Sequence, residues 1–211
     1  MTHHHTAAPA PGGLRRAGRI AVPTLALLVS LFSLRYFLLD PDYYIDDQRL
    51  VYAAHLAPLL LHIGGAVVAL SIGPLQFLPG LRARRPAVHR WTGRVYALSA
   101  LALSIGGLVL ARYAMHPPVA PIGFATLAVL VLITTGLGVR EVRRGRIARH
   151  RRWMLRSYAL IFAAVTLRIW LPLGAVLGLS EAVTYGSAAW GSWLVNLAFV
   201  EWRLRRTPNA A

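Results

Sequence analysis

The sequence has no cysteine and no lysine, and only seven of its 211 residues are acidic. The absence of cysteine excludes disulfides, thiolate nucleophiles and thiolate metal ligands. No serine, cysteine or paired carboxylates occur with the neighbours that a hydrolytic site needs, which argues against a soluble-type hydrolase. The 23 arginines therefore dominate the charge, and the formal net charge is +16.

Apolar sequence is what the chain has in excess. The chain is 56% hydrophobic and its mean hydropathy is +0.53, which exceeds the usual range of soluble domains. A net charge of +16 alone would suggest nucleic-acid binding. However, the arginines occupy short loops between apolar segments of membrane-spanning length rather than one face of a polar domain. We therefore predict an all-α integral membrane bundle that contacts the lipid bilayer and binds no nucleic acid.

The apolar segments divide the chain into one transmembrane domain with two tails. About 20 helical residues cross the ~30 Å hydrocarbon core of a bilayer. Six such helices are predicted, at residues 20–39, 51–78, 91–113, 119–139, 153–173 and 182–202. Residues 1–19 are predicted to be a disordered basic tail, residues 20–203 the six-helix domain, and residues 204–211 a basic C-terminal tail. Pro58 and Pro74 are expected to kink the second helix.

Arginine distribution predicts the orientation of the bundle. With the N-terminus inside, 19 arginines are cytoplasmic and three are external, as the positive-inside rule requires. Both termini are thus predicted to be cytoplasmic in a bacterial inner membrane, with anionic lipids at the arginine-rich face. The acidic segment Asp40 to Asp47 then faces outward. Its carboxylates suit a divalent cation, but it lacks the glycine turn of a calcium loop, so a solvated loop is the favoured interpretation.

Histidines lie at or near the predicted helix ends. His89 and His150 each follow a basic loop at the cytoplasmic start of a helix, whereas His62 and His116 belong to the outer half. Two histidines from facing helices can supply both axial ligands of a b-type haem. Histidine, arginine and tryptophan also favour the membrane interface, so anchoring by the HRW and HRRW sequences is an equally open interpretation of His89 and His150.

Three motifs in a fixed order carry a family resemblance. They are HxxGxxxALxxGPxQF from His62, HRWxGRxY from His89 and HRRWMxRSYAL from His150. Over residues 52–201 the chain resembles the bacterial family of predicted membrane proteins called domain of unknown function 2306. That pattern more distantly resembles the transmembrane diheme cytochrome b superfamily. The resemblance implies one haem between His89 and His150 and a second between His62 and His116, in an oxidoreductase-type cytochrome with a quinol or other redox partner.

Arg168 is the most unusual charged residue of the sequence. It lies deep in the fifth predicted helix, where a guanidinium costs at least ~2.5 kcal/mol. It therefore needs a partner, and the candidates are a haem propionate, an anionic substrate, Glu181, the acidic loop, or water reached by snorkelling outward. Arg94 and Arg156, near the predicted inner face, are further candidates for clamping an anion.

Two functional hypotheses follow. The first is a haem b protein that carries electrons across the membrane, with His89 and His150 as ligands and His62 and His116 as a second pair. The second is a haem-free transporter or ligand-binding membrane protein, in which His62 and Arg168 line a central polar cavity. The first predicts a coloured protein and the second a colourless one.

Overall fold

A computed structural model describes residues 12–44 and 48–206. Residues 1–11 of the predicted N-terminal tail, residues 45–47 of the acidic loop and residues 207–211 lie outside the described residues. The described chain is helical and, in order, consists of α1 (Gly12–Ser33), two short 3-10 helices (Leu34–Leu38 and Pro41–Tyr43), α2 (Arg49–Ala54), α3 (Leu56–Gln76), α4 (Pro79–Arg84), α5 (Pro86–Ala111), α6 (Val119–Arg143), α7 (Ile147–Ile161), α8 (Ala163–Val176) and α9 (Glu181–Arg206).

Both ends of the bundle are more helical than expected. Helix α1 begins at Gly12, inside the segment predicted to be disordered; Leu14 to Ala17 are good helix formers, and the helix continues through Gly18 into the apolar run. Helix α9 likewise continues to Arg206, past the predicted start of the C-terminal tail at residue 204.

The second predicted helix is interrupted at His55, between α2 and α3. Pro58 explains the position of the break. A proline has no N–H, and its ring clashes with the carbonyl group four residues earlier. That carbonyl belongs to Ala54, the last residue of α2. The fifth predicted helix is also divided, at Phe162, where the Val165 N–H donates to the Phe162 carbonyl at 2.9 Å and locally tightens the turn.

Five helical stretches of the described chain are long and apolar enough to cross a membrane: Ile20–Leu38, Leu56–Gln76, Pro86–Ala111, Val119–Arg143 and Ile147–Val176. The last of these contains both α7 and α8. The sixth predicted span corresponds to α9, which is 26 residues long but richer in serine, threonine, asparagine and tryptophan. The prediction of an all-α membrane bundle is confirmed, whereas the orientation of its termini stays a prediction.

Helices α3, α5, α6 and α7 pack in sequence around the interior, and α1, α8 and α9 pack along the outside of this group. A chain of hydroxyl groups joins three of them. The Tyr96 hydroxyl lies 2.9 Å from Ser157 Oγ, which lies 2.7 Å from Thr135 Oγ1. All three side chains are buried. This network places α5 and α7 opposite each other across the core.

Candidate functional site at the basic end of the bundle

The arginine-rich α4–α5 junction and α6–α7 turn lie at one end of the bundle, which we call the basic end. His89 is the fourth residue of α5, and His150 is the fourth residue of α7. Both helices start at this end, so the two histidines lie at matching depths. They are close enough to interact electrostatically. The structure therefore brings together the pair that the motifs predicted.

The faces that carry these histidines also meet deeper in the bundle. Residues seven apart lie on one face of a helix, about 10 Å apart along the axis. Tyr96 thus lies below His89, and Ser157 lies below His150. Because the Tyr96 hydroxyl and Ser157 Oγ are hydrogen-bonded, the two faces converge, and this pair forms the floor of the space between the histidines.

The two imidazoles have different hydrogen-bond environments. His150 Nδ1 lies 2.8 Å from the Gly138 carbonyl of α6. That carbonyl can only accept, so Nδ1 carries the proton and Nε2 keeps a free lone pair. His89 Nδ1 is buried and has no hydrogen-bond partner among the described residues. A buried polar atom without a partner points to a missing ligand or water.

A buried carboxylate fixes the turn that leads to His150. The Glu141 side chain is only 2% exposed, and its oxygens lie 3.2 Å from Arg140 Nη2 and 3.5 Å from Arg146 Nη1. The Glu141 carbonyl also accepts the Arg146 N–H at 2.9 Å. Glu141 therefore ties the end of α6 to the start of α7.

We expect Glu141→Gln to lower the thermal unfolding midpoint, because two arginines would lose their counter-charge in a turn that is already strongly basic. Glu181→Gln is the matched control, since the Glu181 side chain is 62% exposed and exposed ion pairs contribute little. Thermal unfolding of both variants in the same detergent checks this expectation. Equal midpoints would contradict the structural role of Glu141.

The predicted anion clamps at this end already have partners. Arg156 Nη2 donates to Glu201 Oε2 at 3.0 Å, and its guanidinium lies 4.7 Å from the centroid of the Trp153 ring. Arg94 lies 4.8 Å from the centroid of the Trp91 ring. Their role as substrate or propionate anchors stays a prediction, but the charge of Arg156 is already compensated within the protein.

His62 and His116 lie in the other half of the bundle. His62 Nδ1 is 2.7 Å from the Leu103 carbonyl, and Gly106 and Gly107 pack against its backbone and ring. His116 instead lies 3.5 Å from Glu181 and contacts Tyr185. The two histidines share no hydrogen bond or ring contact within the described part of the chain. Their pairing across a haem stays a prediction.

The first histidine pair offers two ring nitrogens at the same end of the bundle. His150 has a free Nε2 and His89 has a buried Nδ1 without a partner among the described residues, and imidazole nitrogens are suitable axial ligands of haem iron. Haem binding by this pair stays a prediction. Over residues 12–44 and 48–206, no three metal-ligating side chains cluster, but an axial pair needs only two. Arg168 lies 18 residues beyond His150, about 27 Å along α7 and α8, so it is too far to contact a propionate of a haem held there.

Sequence reasoning missed two groups of residues. Glu141 was overlooked because it lies within a run of arginines and nothing local shows that it is buried. Arg35, Tyr36 and Tyr52 were overlooked because only the fold brings them near Arg168. The one signal available for Arg35 was its place at the end of an apolar run.

A family model described as predicted membrane protein (DUF2306) matches residues 59–203. The match covers more than half of the chain and includes His62, His89, His116, His150 and Arg168. No curated protein matches the chain, and no solved structure matches it. The match confirms the family that the motifs predicted, and the more distant resemblance to diheme cytochromes b stays a prediction.

Proposed function

Because the chain belongs to the DUF2306 family of predicted membrane proteins, with its most specific motifs at His89 and His150, we propose that it binds one b-type haem between these two residues. The function that follows is one-electron transfer at the basic end of the bundle. We take this end to be cytoplasmic, as the arginine distribution predicts. A quinol or a cytoplasmic redox protein is the proposed partner.

One observation carries the proposal: two histidines from opposite helices lie at the same depth, above a hydrogen-bonded floor, with ring nitrogens available. The Nδ1–H of His150 is held by the Gly138 carbonyl. Such a bond fixes the tautomer and orientation of a ligating imidazole and raises its basicity. Gly138 also leaves room for the Met154 side chain, because a Cβ at this position would lie 2.6 Å from Met154 Sδ.

The surrounding residues define the electrostatics of the site. When bound, a bis-histidine haem supplies reversible one-electron chemistry. Arg82 interacts electrostatically with His89, so its positive charge is available to an anionic group at the mouth of the site. Tyr96 and Ser157 close the site on the side of the membrane centre and limit the entry of water.

The proposal predicts one haem per chain. The test is an absorption spectrum of detergent-purified protein from haem-replete cells, recorded oxidised and then reduced with dithionite, with haem measured by pyridine extraction. We expect a low-spin b-type spectrum and a stoichiometry near one. A colourless protein would overturn the proposal and favour the haem-free transporter. Two haems per chain would contradict the single site and implicate His62 and His116.

A further inference from the structure

Arg168 lies inside an apolar span, and no acidic residue of the described chain pairs with it. Its span, Ile147–Val176, ends eight residues later, so Arg168 lies about 12 Å below the end of the helix. Its Nη1 donates to the Ala164 carbonyl at 2.9 Å, and its Nη2 donates to Ser33 Oγ at 3.0 Å. These bonds use two of the five guanidinium N–H donors. The ion pairs of the described residues do not include Arg168.

A second arginine comes to the same region from the 3-10 helix Leu34–Leu38, which directly follows α1. Arg35 follows Ser33 in the chain, lies within the span Ile20–Leu38 and interacts electrostatically with Arg168. Its Nε is buried and has no hydrogen-bond partner among the described residues. The guanidinium is held over the Phe32 ring at 4.0 Å. Two cations thus share an apolar region in which no described carboxylate forms an ion pair with either of them.

Hydroxyl groups complete the surroundings of Arg168. Tyr36 and Tyr52 both lie within electrostatic range of it. Their rings pack edge to face, with the centroids 6.2 Å apart. Neither hydroxyl makes a hydrogen bond within the described chain. A tyrosine hydroxyl is protonated at neutral pH, so both side chains are available as donors.

We propose that Arg168 and Arg35 form an oxyanion site within the membrane, which binds the carboxylate or phosphate group of a small organic anion or of a lipid headgroup. Charged groups at this depth require a partner, and guanidinium groups match both oxyanions. The free donors of both arginines and the hydroxyls of Tyr36 and Tyr52 supply the hydrogen bonds. This site is separate from His89 and His150 and does not depend on haem.

Benzoate and inorganic phosphate are suitable free probes, with benzyl alcohol as the uncharged match of benzoate. Unfolding midpoints are measured by tryptophan fluorescence in nanodiscs of phosphatidylcholine, and again in discs that contain phosphatidylglycerol. We expect a saturable rise in the midpoint with an oxyanion and none with benzyl alcohol. Arg168→Gln and Arg35→Gln should each weaken the apparent affinity at least ~10-fold. Arg112→Gln is the matched control, because Arg112 is exposed and its Nη2 contacts only the neighbouring Tyr113 hydroxyl.

The outcomes identify the source of the oxyanion. Stabilisation by benzoate or phosphate that is lost in Arg168→Gln supports a free anion. Stabilisation by phosphatidylglycerol alone, lost in the same variant, supports a lipid headgroup. The proposal is overturned if no oxyanion stabilises the wild-type protein, or if Arg168→Gln and Arg35→Gln respond as Arg112→Gln does. If Arg168→Gln does not fold, Arg35→Gln and the charge-conserving Arg168→Lys carry the test, and both should bind more weakly than wild type.

Discussion

Replacing His89 or His150 with alanine is expected to remove the haem, lowering the haem content per chain at least ~10-fold. Each histidine would supply one of two axial ligands, and loss of even an outer-shell partner of a metal ligand typically costs 10–100-fold in affinity. The measurement is haem per chain by pyridine extraction, with protein quantified separately and the oligomeric profile checked by gel filtration.

His62→Ala and His116→Ala are the matched controls. His62 lies at the level of Gly106 and Gly107, about 26 Å from His89 along α5, and His116 is held by Glu181 at the other end of the bundle. Both variants should keep the wild-type spectrum. If His62→Ala lost haem and His89→Ala retained it, the haem site would lie in the opposite half of the bundle.

Glutamine variants of His89 and His150 distinguish haem ligation from interfacial anchoring. If His89 and His150 only anchor the helices to headgroups, glutamine should replace either one without a spectral change, since its amide still forms interfacial hydrogen bonds. If they ligate haem, the glutamine variants should lose haem as the alanine variants do. Replacement of Trp91, which is 64% exposed, should leave haem content unchanged in both cases.

The common level of His89 and His150 was predictable from sequence because it depends on local features. Each histidine follows a basic loop and lies in the first turn of a long helix that starts at the same end of the bundle. Helical periodicity then places Tyr96 and Ser157 on the same faces. The break at His55 was also predictable, since Pro58 disrupts a helix at a defined distance along the chain.

The second histidine pair could not be tested from sequence because it depends on which helices meet. His116 has a positive φ of 55° in the α5–α6 turn, where it lies beside Glu181. The approach of Arg35 to Arg168 has a similar origin. The 3-10 helix that carries Arg35 ends at Leu38 and is followed by Leu39, whose φ is 58°. No periodic pattern predicts such a bend or which helix Arg35 will contact.

Helices α3 and α5 approach each other at glycines from both sides. A Cβ on Gly65 would lie 2.6 Å from both the Leu103 nitrogen and the Ser99 carbonyl oxygen. A Cβ on Gly106 would collide with the Pro58 carbonyl and lie 2.7 Å from the His62 nitrogen. These neighbours are backbone atoms, which cannot move aside as a flexible side chain can. Small residues are what allow membrane helices to approach this closely.

We therefore expect Gly65→Ala and Gly106→Ala each to destabilise the protein by about 1–3 kcal/mol, the range of overpacked cores. The reason is that α3 and α5 must separate along their length to admit one methyl group. Gly136→Ala in α6 is the matched control, because nothing lies within 4 Å of its Cβ position. There, alanine should be neutral or stabilising by about 0.5–1 kcal/mol. Reversible denaturation in mixed micelles compares the three variants. In Gly106→Ala the separation should also weaken the contact between His62 and the Leu103 carbonyl, so a stable variant with an unshifted His62 imidazole resonance would contradict this packing.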